Sequence, residues 1–479
     1  MEKSLKVAVI GAGVAGLAAA RELRREGQQV VVVYEKSDQL GGTWVYDPRV
    51  ESDPLGLDPN REIVHGSLYS SLCTNLPRQL MSFSDYPFEI RKNGELRTFP
   101  DHEEVLEYLN KFARDFGLVE LIRFNTEVVR VQRVNDQWIV GSRSTMSDFS
   151  LEEAFDAVIV CNGHHTQPRI ADIPGIKKWP GKQIHSHNYR VPETFLDQVV
   201  VVIGDGPSAH DISKDIAKAA KEVHLSSRSP EIKVSKLDCY GNIWKHPKID
   251  CVCENGEVAF QDGVSVHADI ILHCTGYNYD FPFLETNGIV SVDDNRVGPL
   301  YKHVFPPKLA PSLSFIGISL TVDLFHMIEF QAKWMARVLT SKVLLPSENE
   351  MLIDIEQQYK RLEEAGKLKH YTHNLLYDEF EYQDWLAAQV GEPGADEGLK
   401  QITRTLLKFL ADNGWFRYFR ALGTLFSPRT LSPPSQQSLV PDLLKSATLS
   451  FLRIFSHMRR ASKQGPLHFF GTTPRVHLS

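Results

Sequence analysis

Two apolar runs in the chain are each followed by a glycine-rich turn and then by polar and apolar residues at helical spacing. The first run, Leu5-Lys6-Val7-Ala8-Val9-Ile10, predicts a strand. A helix is predicted over 17–26, closed by Gly27, and a second strand over 29–34. The second run predicts a strand over 198–203, a helix over 210–221 and a strand over 222–227. Further strands are expected over 156–163, ending in a glycine turn, and over 270–277 and 313–318, and a helix with apolar spacing over 322–339. Short strands alternating with helices predict an α/β fold built on parallel sheets.

The turns between strand and helix carry the candidate chemistry. Gly11-Ala12-Gly13-Val14-Ala15-Gly16 has the spacing of a dinucleotide-binding turn. Gly11 permits the tight turn, Gly13 lets the backbone approach a pyrophosphate, and Gly16 lets helix and strand pack closely. Amide groups at the start of the helix would hold the phosphates. The acidic residue that closes the next strand, Glu35, would accept hydrogen bonds from a ribose.

The second unit repeats the design as Gly204-Asp205-Gly206-Pro207-Ser208-Ala209, with Ala in the place of the third Gly. Glu35 lies 24 residues after Gly11 (35 − 11), and Arg228 lies 24 residues after Gly204 (228 − 204). One structural position therefore carries an acid in the first unit and a base in the second, beside Ser227. A carboxylate suits a free ribose hydroxyl and repels a 2′-phosphate, whereas a guanidinium pairs with one. The first site is expected to take FAD (or NAD) and the second NADPH. Two such sites in one chain predict electron transfer between two nucleotides. For Arg228, a solvated surface charge is the alternative reading.

Composition narrows the partners. The net charge of −7 does not favour a polyanion, so no nucleic acid is expected. The six cysteines are scattered with no C-x-x-C pair, which predicts reduced thiols, no zinc or other metal site, and a cytoplasmic location. Cys251 and Cys253 form the only close pair, and two ligands do not make a metal site. Residues 7–20 are apolar after Lys3 and Lys6, as in a signal peptide, but they hold the glycine turn and lack a small-residue cleavage site. No apolar run is long enough to span a bilayer. A disulfide reductase would need a redox cysteine pair just after the first unit; that region, Gln39-Leu40-Gly41-Gly42-Thr43-Trp44-Val45-Tyr46, has none.

Over roughly residues 5–340 the chain resembles the flavin-containing monooxygenases, and within them the plant glucosinolate S-oxygenase type. Both glycine turns carry the resemblance, with three further stretches. Residues 179–189, Trp-Pro-Gly-Lys-Gln-Ile-His-Ser-His-Asn-Tyr, follow the pattern F-x-G-x-x-x-H-x-x-x-Y with Trp179 in the place of Phe. Thr74-Asn75-Leu76-Pro77 matches a T-N-x-P segment, and Cys274-Thr275-Gly276-Tyr277 an A-T-G-Y ending. The resemblance implies hydride transfer from NADPH to FAD and reaction of reduced flavin with O2 to a C4a-hydroperoxide. A soft nucleophile then attacks the distal oxygen. It implies Gly42, Thr43, Trp44, Thr74 and Asn75 at the flavin, with Asn75 beside its edge as the catalytic residue. The substrate it implies is a small thioether of the methylthioalkyl glucosinolate type. N-hydroxylation and Baeyer–Villiger oxidation are the alternatives within the class, and a non-catalytic nucleotide-binding redox sensor is the alternative outside it. His185 is read as a packed interdomain histidine before any chemical role.

The expected architecture is two Rossmann-like dinucleotide-binding domains, the NADPH domain inserted into a discontinuous FAD domain. Residues 1–168 begin the FAD domain, 169–290 form the NADPH domain, and 291–426 complete the FAD domain with a helical cover. Residues 427–479 are rich in Ser and Pro and basic, with seven Lys and Arg against Asp442. Residues 443–458 have the pattern of a basic amphipathic helix, so peripheral membrane contact and an unstructured tail are the two readings there.

Overall fold

The computed structural model describes residues 5–28, 30–88, 99–228, 234–237, 240–376 and 378–408. The chain divides into a unit Met1–Ala421 and a unit Leu422–Ser479, and the tail expected over 427–479 lies outside the described residues.

Strand β1 (Lys6–Ile10) leads through the first glycine turn into α1 (Val14–Arg25), and the chain returns as β2 (Val30–Tyr34). Helix α2 (His102–Asp115) and a short β3 (Ile122–Arg123) follow. An antiparallel meander, β4 (Thr126–Val134), β5 (Gln137–Ser144) and β6 (Ser150–Phe155), precedes β7 (Ala157–Val160). After β8 (Gln167–Pro168) the chain builds a second sheet with β9 (Lys182–His185), β10 (Val199–Ile203), α3 (Pro207–Ile216) and β11 (Glu222–Ser226). Strands β12 (Ser235–Lys236) and β13 (Ile243–His246) extend it. A small antiparallel sheet follows, made of β14 (Ile249–Val252), β15 (Glu257–Phe260) and β16 (Ser265–His267). Strand β17 (Ile270–His273) completes the second sheet. The chain then passes β18 (Tyr277–Asn278), β19 (Leu284–Glu285) and the hairpin β20 (Ser291–Asp293) and β21 (Arg296–Gly298). It re-enters the first sheet as β22 (Leu313–Phe315) and ends in α4 (Leu324–Leu339), α5 (Glu348–Glu364) and α6 (Glu379–Gln389).

The first sheet has the order β22-β7-β1-β2-β3, all parallel, and the second the order β12-β13-β11-β10-β17-β9. All strands of the second sheet fall between β7 and β22 in sequence. One Rossmann-like domain is thus inserted into the other, as the sequence predicts. Strand β10 is apolar along its whole length and β1 from Val7 onward, because both faces are covered. Val7 and Val9 on one face of β1 pack with α1, α2 and α4, while Ala8 and Ile10 on the other pack beneath the β4–β6 meander. Likewise Val200 and Val202 of β10 face one core and Val201 another. Arg21, 1% exposed, donates to Glu22 (2.7 Å), Asp85 (2.8 Å) and Glu329 (3.2 Å), which clamps α1 to α4.

Several element boundaries differ from the sequence reading; β22 ends at Phe315 rather than at residue 318, and α4 starts at Leu324 rather than at residue 322. Helix α1 starts at Val14 rather than at residue 17, because Gly13 is the extended N-cap and Gly16 already lies in the first turn. Helix α3 starts at Pro207, whose missing N–H and fixed φ suit a first helical position, and ends at Ile216. The strand expected over 270–277 stops at His273; Tyr277 belongs to β18, which pairs with β8. Among the described residues no helix is long and apolar enough to cross a membrane.

Candidate functional site

The first glycine turn lies beyond the carboxyl end of β1, where an open parallel sheet binds its ligands. Gly11 takes φ +102°, and a Cβ there would stand 2.6 Å from the Cys161 carbonyl at the end of β7. A Cβ on Gly16 would stand 1.8 Å from the Gly11 carbonyl, so turn and helix touch backbone to backbone. Gly42 packs against Gly13 in the same way, with 2.9 Å between its built Cβ and the Gly13 Cα. The Gly41 amide donates to the Ala12 carbonyl at 3.0 Å. No side chain caps the start of α1 at Gly13. This is a cradle that side chains would fill, with helix amides facing it, and it suits a pyrophosphate.

A cavity of about 980 Å³ opens beside this turn. Gly11, Glu35 and Gly42 line it, as do Thr126, Arg143, Asn162, His164 and Asn278. Glu35 does more than the sequence reading assigns to it. One carboxylate oxygen accepts from the Ala12 amide (2.9 Å), and the other from the Ser37 amide (2.9 Å) and hydroxyl (2.8 Å). A carboxylate has about four lone-pair sites, so capacity remains for a ligand hydroxyl. Asn162 and His164 escape sequence reasoning, although they follow the end of β7, where the crevice of such a sheet lies.

The second turn has the same build. Gly204 takes φ +137°, and a Cβ there would stand 2.3 Å from the Cys274 carbonyl; a Cβ on Gly206 would meet nothing within 4 Å. Pro207 and Ser208 are exposed, and Ala209 is a buried residue of the first turn of α3. Asp205 and Ser227, both expected on a cofactor, face each other: the Ser227 hydroxyl donates to Asp205 at 2.6 Å. His210 and Lys245 also reach Asp205, at 2.5 Å and 3.4 Å. Asp205 therefore staples the turn to the end of β11. Arg228 is exposed just beyond it, 3.5 Å from the Tyr371 hydroxyl.

The remaining expected residues do not line the large cavity. Thr43 is exposed, while Trp44 and Leu76 pack against the core shared by α1 and α4. The Thr74 hydroxyl donates to the Leu76 carbonyl at 2.8 Å, and Asn75 is half-buried in the following turn.

Residues 185–190 are buried without exception and tie the inserted domain to residues 47–66. His185 lies 3.1 Å from the Gly276 carbonyl and edge-on to Tyr277; burial pushes its imidazole down to about 3, so the ring is neutral. His187 reaches Val64 (2.8 Å) and Glu51 (3.2 Å), and Arg190 donates to the Asp47 carbonyl (2.6 Å) and the Gly66 carbonyl (2.8 Å). His185 is thus a packing histidine. Tyr277 is half-buried.

Known proteins match this arrangement closely. The model of the flavin-binding monooxygenase-like family matches residues 4–245 and 231–395, a span that extends beyond the motifs of residues 5–340. The flavin-containing monooxygenase FMO GS-OX5 of Arabidopsis thaliana is 54% identical over 399 residues, which cover 82% of this chain and 86% of that protein. The structure of S-allyl-L-cysteine S-oxygenase from Allium sativum superposes with a TM-score of 0.84 at 48% identity, covering 94% of this chain and 100% of that one. Tmm from Pelagibacter sp. strain HTCC7211 superposes with a TM-score of 0.71 at 27% identity, covering 84% and 90%.

Proposed function

Because the chain belongs to the flavin-binding monooxygenase-like family, we propose that it transfers an oxygen atom from O2 to the sulfur of a small thioether. The product is a sulfoxide, and NADPH is the electron donor. The enzyme is a flavin monooxygenase with FAD and NADPH as its cofactors. Bound FAD supplies the redox chemistry, accepting hydride and activating O2.

The observation that carries the reading is the pairing of two glycine turns of one geometry with opposite charges after them. Gly11 to Gly16 and the start of α1 hold the FAD pyrophosphate, and Glu35 takes the ribose. Gly204 to Ala209 hold the NADPH pyrophosphate, and Arg228 pairs with the 2′-phosphate. Among the described residues, those up to 168 and from 291 to 408 would form the FAD part of the enzyme, and those within 169–290 the NADPH part. Asn75 would stand beside bound flavin and offer a hydrogen bond to the oxygen being transferred. The surrounding chain excludes water, which would otherwise divert the oxygen to hydrogen peroxide. A cytoplasmic location belongs to the same proposal, read from the cysteine pattern.

Thioether sulfur is favoured over amine nitrogen or ketone because the Allium sativum relative is named for S-oxygenation of S-allyl-L-cysteine. A methylthioalkyl compound of the glucosinolate type is the expected physiological substrate. Mass spectrometry of reactions with a thioether, a tertiary amine and a ketone tests this choice. Sulfoxide is expected as the main product; N-oxide or lactone as the main product would replace S-oxygenation by an alternative reading.

A further inference from the structure

Asn75 lies in a stretch without regular secondary structure, so the contacts of its neighbours set its place. Toward the first domain, the Thr74 amide donates to the Pro100 carbonyl (2.9 Å) and the His102 amide to the Leu72 carbonyl (3.3 Å). Toward the inserted domain the Ser70 amide donates to the Arg190 carbonyl (3.0 Å), and side chains on either side of it add two further ties. The Tyr69 hydroxyl donates to Asp211, and the Ser71 hydroxyl donates to Asp215 at 2.6 Å. The Tyr189 hydroxyl donates to the same Asp215 oxygen at 2.7 Å, and the Lys218 ammonium to the other at 2.7 Å.

Asp211 and Asp215 are one turn apart on α3 and therefore share a face. Helix α3 starts at the second glycine turn. A single helix thus carries the NADPH turn at its N-terminus and two carboxylate anchors for the Asn75 segment on its flank. Burial works against ionisation of Asp215, which is 5% exposed, but Lys218 and the two hydroxyl donors hold its carboxyl below the usual range. Hydroxyl-to-carboxylate bonds are short and stronger than neutral ones, as the observed distances are.

We propose that Asp211 and Asp215 are positioning residues: through Tyr69 and Ser71 they hold the Asn75 segment in register with the NADPH site and keep NADPH oxidation coupled to oxygen transfer. The proposal rests on the reading of Asn75 given above. Small displacements of a positioned group are costly to a reaction, which is why loss of two hydroxyls far from the chemistry has a measurable effect.

The test uses the FAD-loaded full chain with Ser71→Ala, Tyr69→Phe and the double substitution. NADPH consumed, sulfoxide formed and hydrogen peroxide released are measured at saturating thioether. In the double variant, sulfoxide per NADPH is expected to fall several-fold and peroxide to make up the difference. Flavin content and the rate of flavin reduction are expected to fall far less. Ser71→Thr, which keeps the hydroxyl, is expected to regain most of the coupling. A double variant that stays coupled overturns the proposal, as does one in which flavin content and all rates fall together at constant coupling. Asn75→Ala separates the two levels. If it uncouples while the double variant does not, only the link through α3 fails. If it stays coupled itself, the reading of Asn75 fails and the proposal with it.

Discussion

Gly16→Ala is expected to yield protein that purifies without flavin. The added methyl would stand 1.8 Å from the Gly11 carbonyl oxygen, far inside van der Waals contact. The obstacle is backbone, so no side-chain rotation relieves it. Either α1 lifts away from the turn or the turn opens. Both remove the alignment of helix amides and turn backbone that a pyrophosphate requires. Flavin absorbance per mole of protein should fall about tenfold or more, since each 1.4 kcal/mol lost weakens binding about tenfold and weakly held flavin is lost during purification. Circular dichroism reports whether the rest of the fold survives. Full flavin content in this variant would mean that the first turn does not hold FAD.

Arg228→Ala is expected to abolish the preference for NADPH over NADH. Hydrogen bonds to charged groups contribute about 1.5–3 kcal/mol, so kcat/KM for NADPH should fall about 10- to 100-fold. NADH has no 2′-phosphate, so its kcat/KM should hardly change. The effect on NADPH should weaken as salt is raised, because Arg228 is exposed and screened. Equal losses with both nucleotides would assign Arg228 a structural role. No change with either would leave it a solvated charge.

The two glycine turns are legible in the sequence because their constraint is steric and local. Gly11, Gly16 and Gly204 stand where a Cβ would strike backbone, and no other residue meets that demand. The inserted topology is legible for a related reason: the strand over 313–318 is needed to complete a sheet whose other members come before residue 168. The end of β17 is not legible, because the apolar pattern runs through Cys274 while pairing stops at His273. The bond from Glu35 back to the Ala12 amide is hidden as well, since motif spacing predicts a ligand contact and says nothing of a tie to the chain itself. The contacts of Tyr69 with Asp211 and Ser71 with Asp215 span 142 and 144 residues, and nothing in periodicity or composition marks such pairs. Residues 185–190 are intermediate: their motif is visible, but only the fold shows that burial makes them staples between the domains rather than reactants.

If this chain uses NADPH and FAD to place an atom of O2 on sulfur, the isotope of the oxygen gas must appear in the product. The most direct measurement is turnover of the FAD-loaded enzyme with NADPH and a methylthioalkyl substrate under ¹⁸O2. A sulfoxide that carries the heavy isotope and accumulates in step with NADPH oxidation is expected. NADPH oxidation that yields hydrogen peroxide and unchanged thioether, or a sulfoxide whose oxygen comes from water, would contradict it.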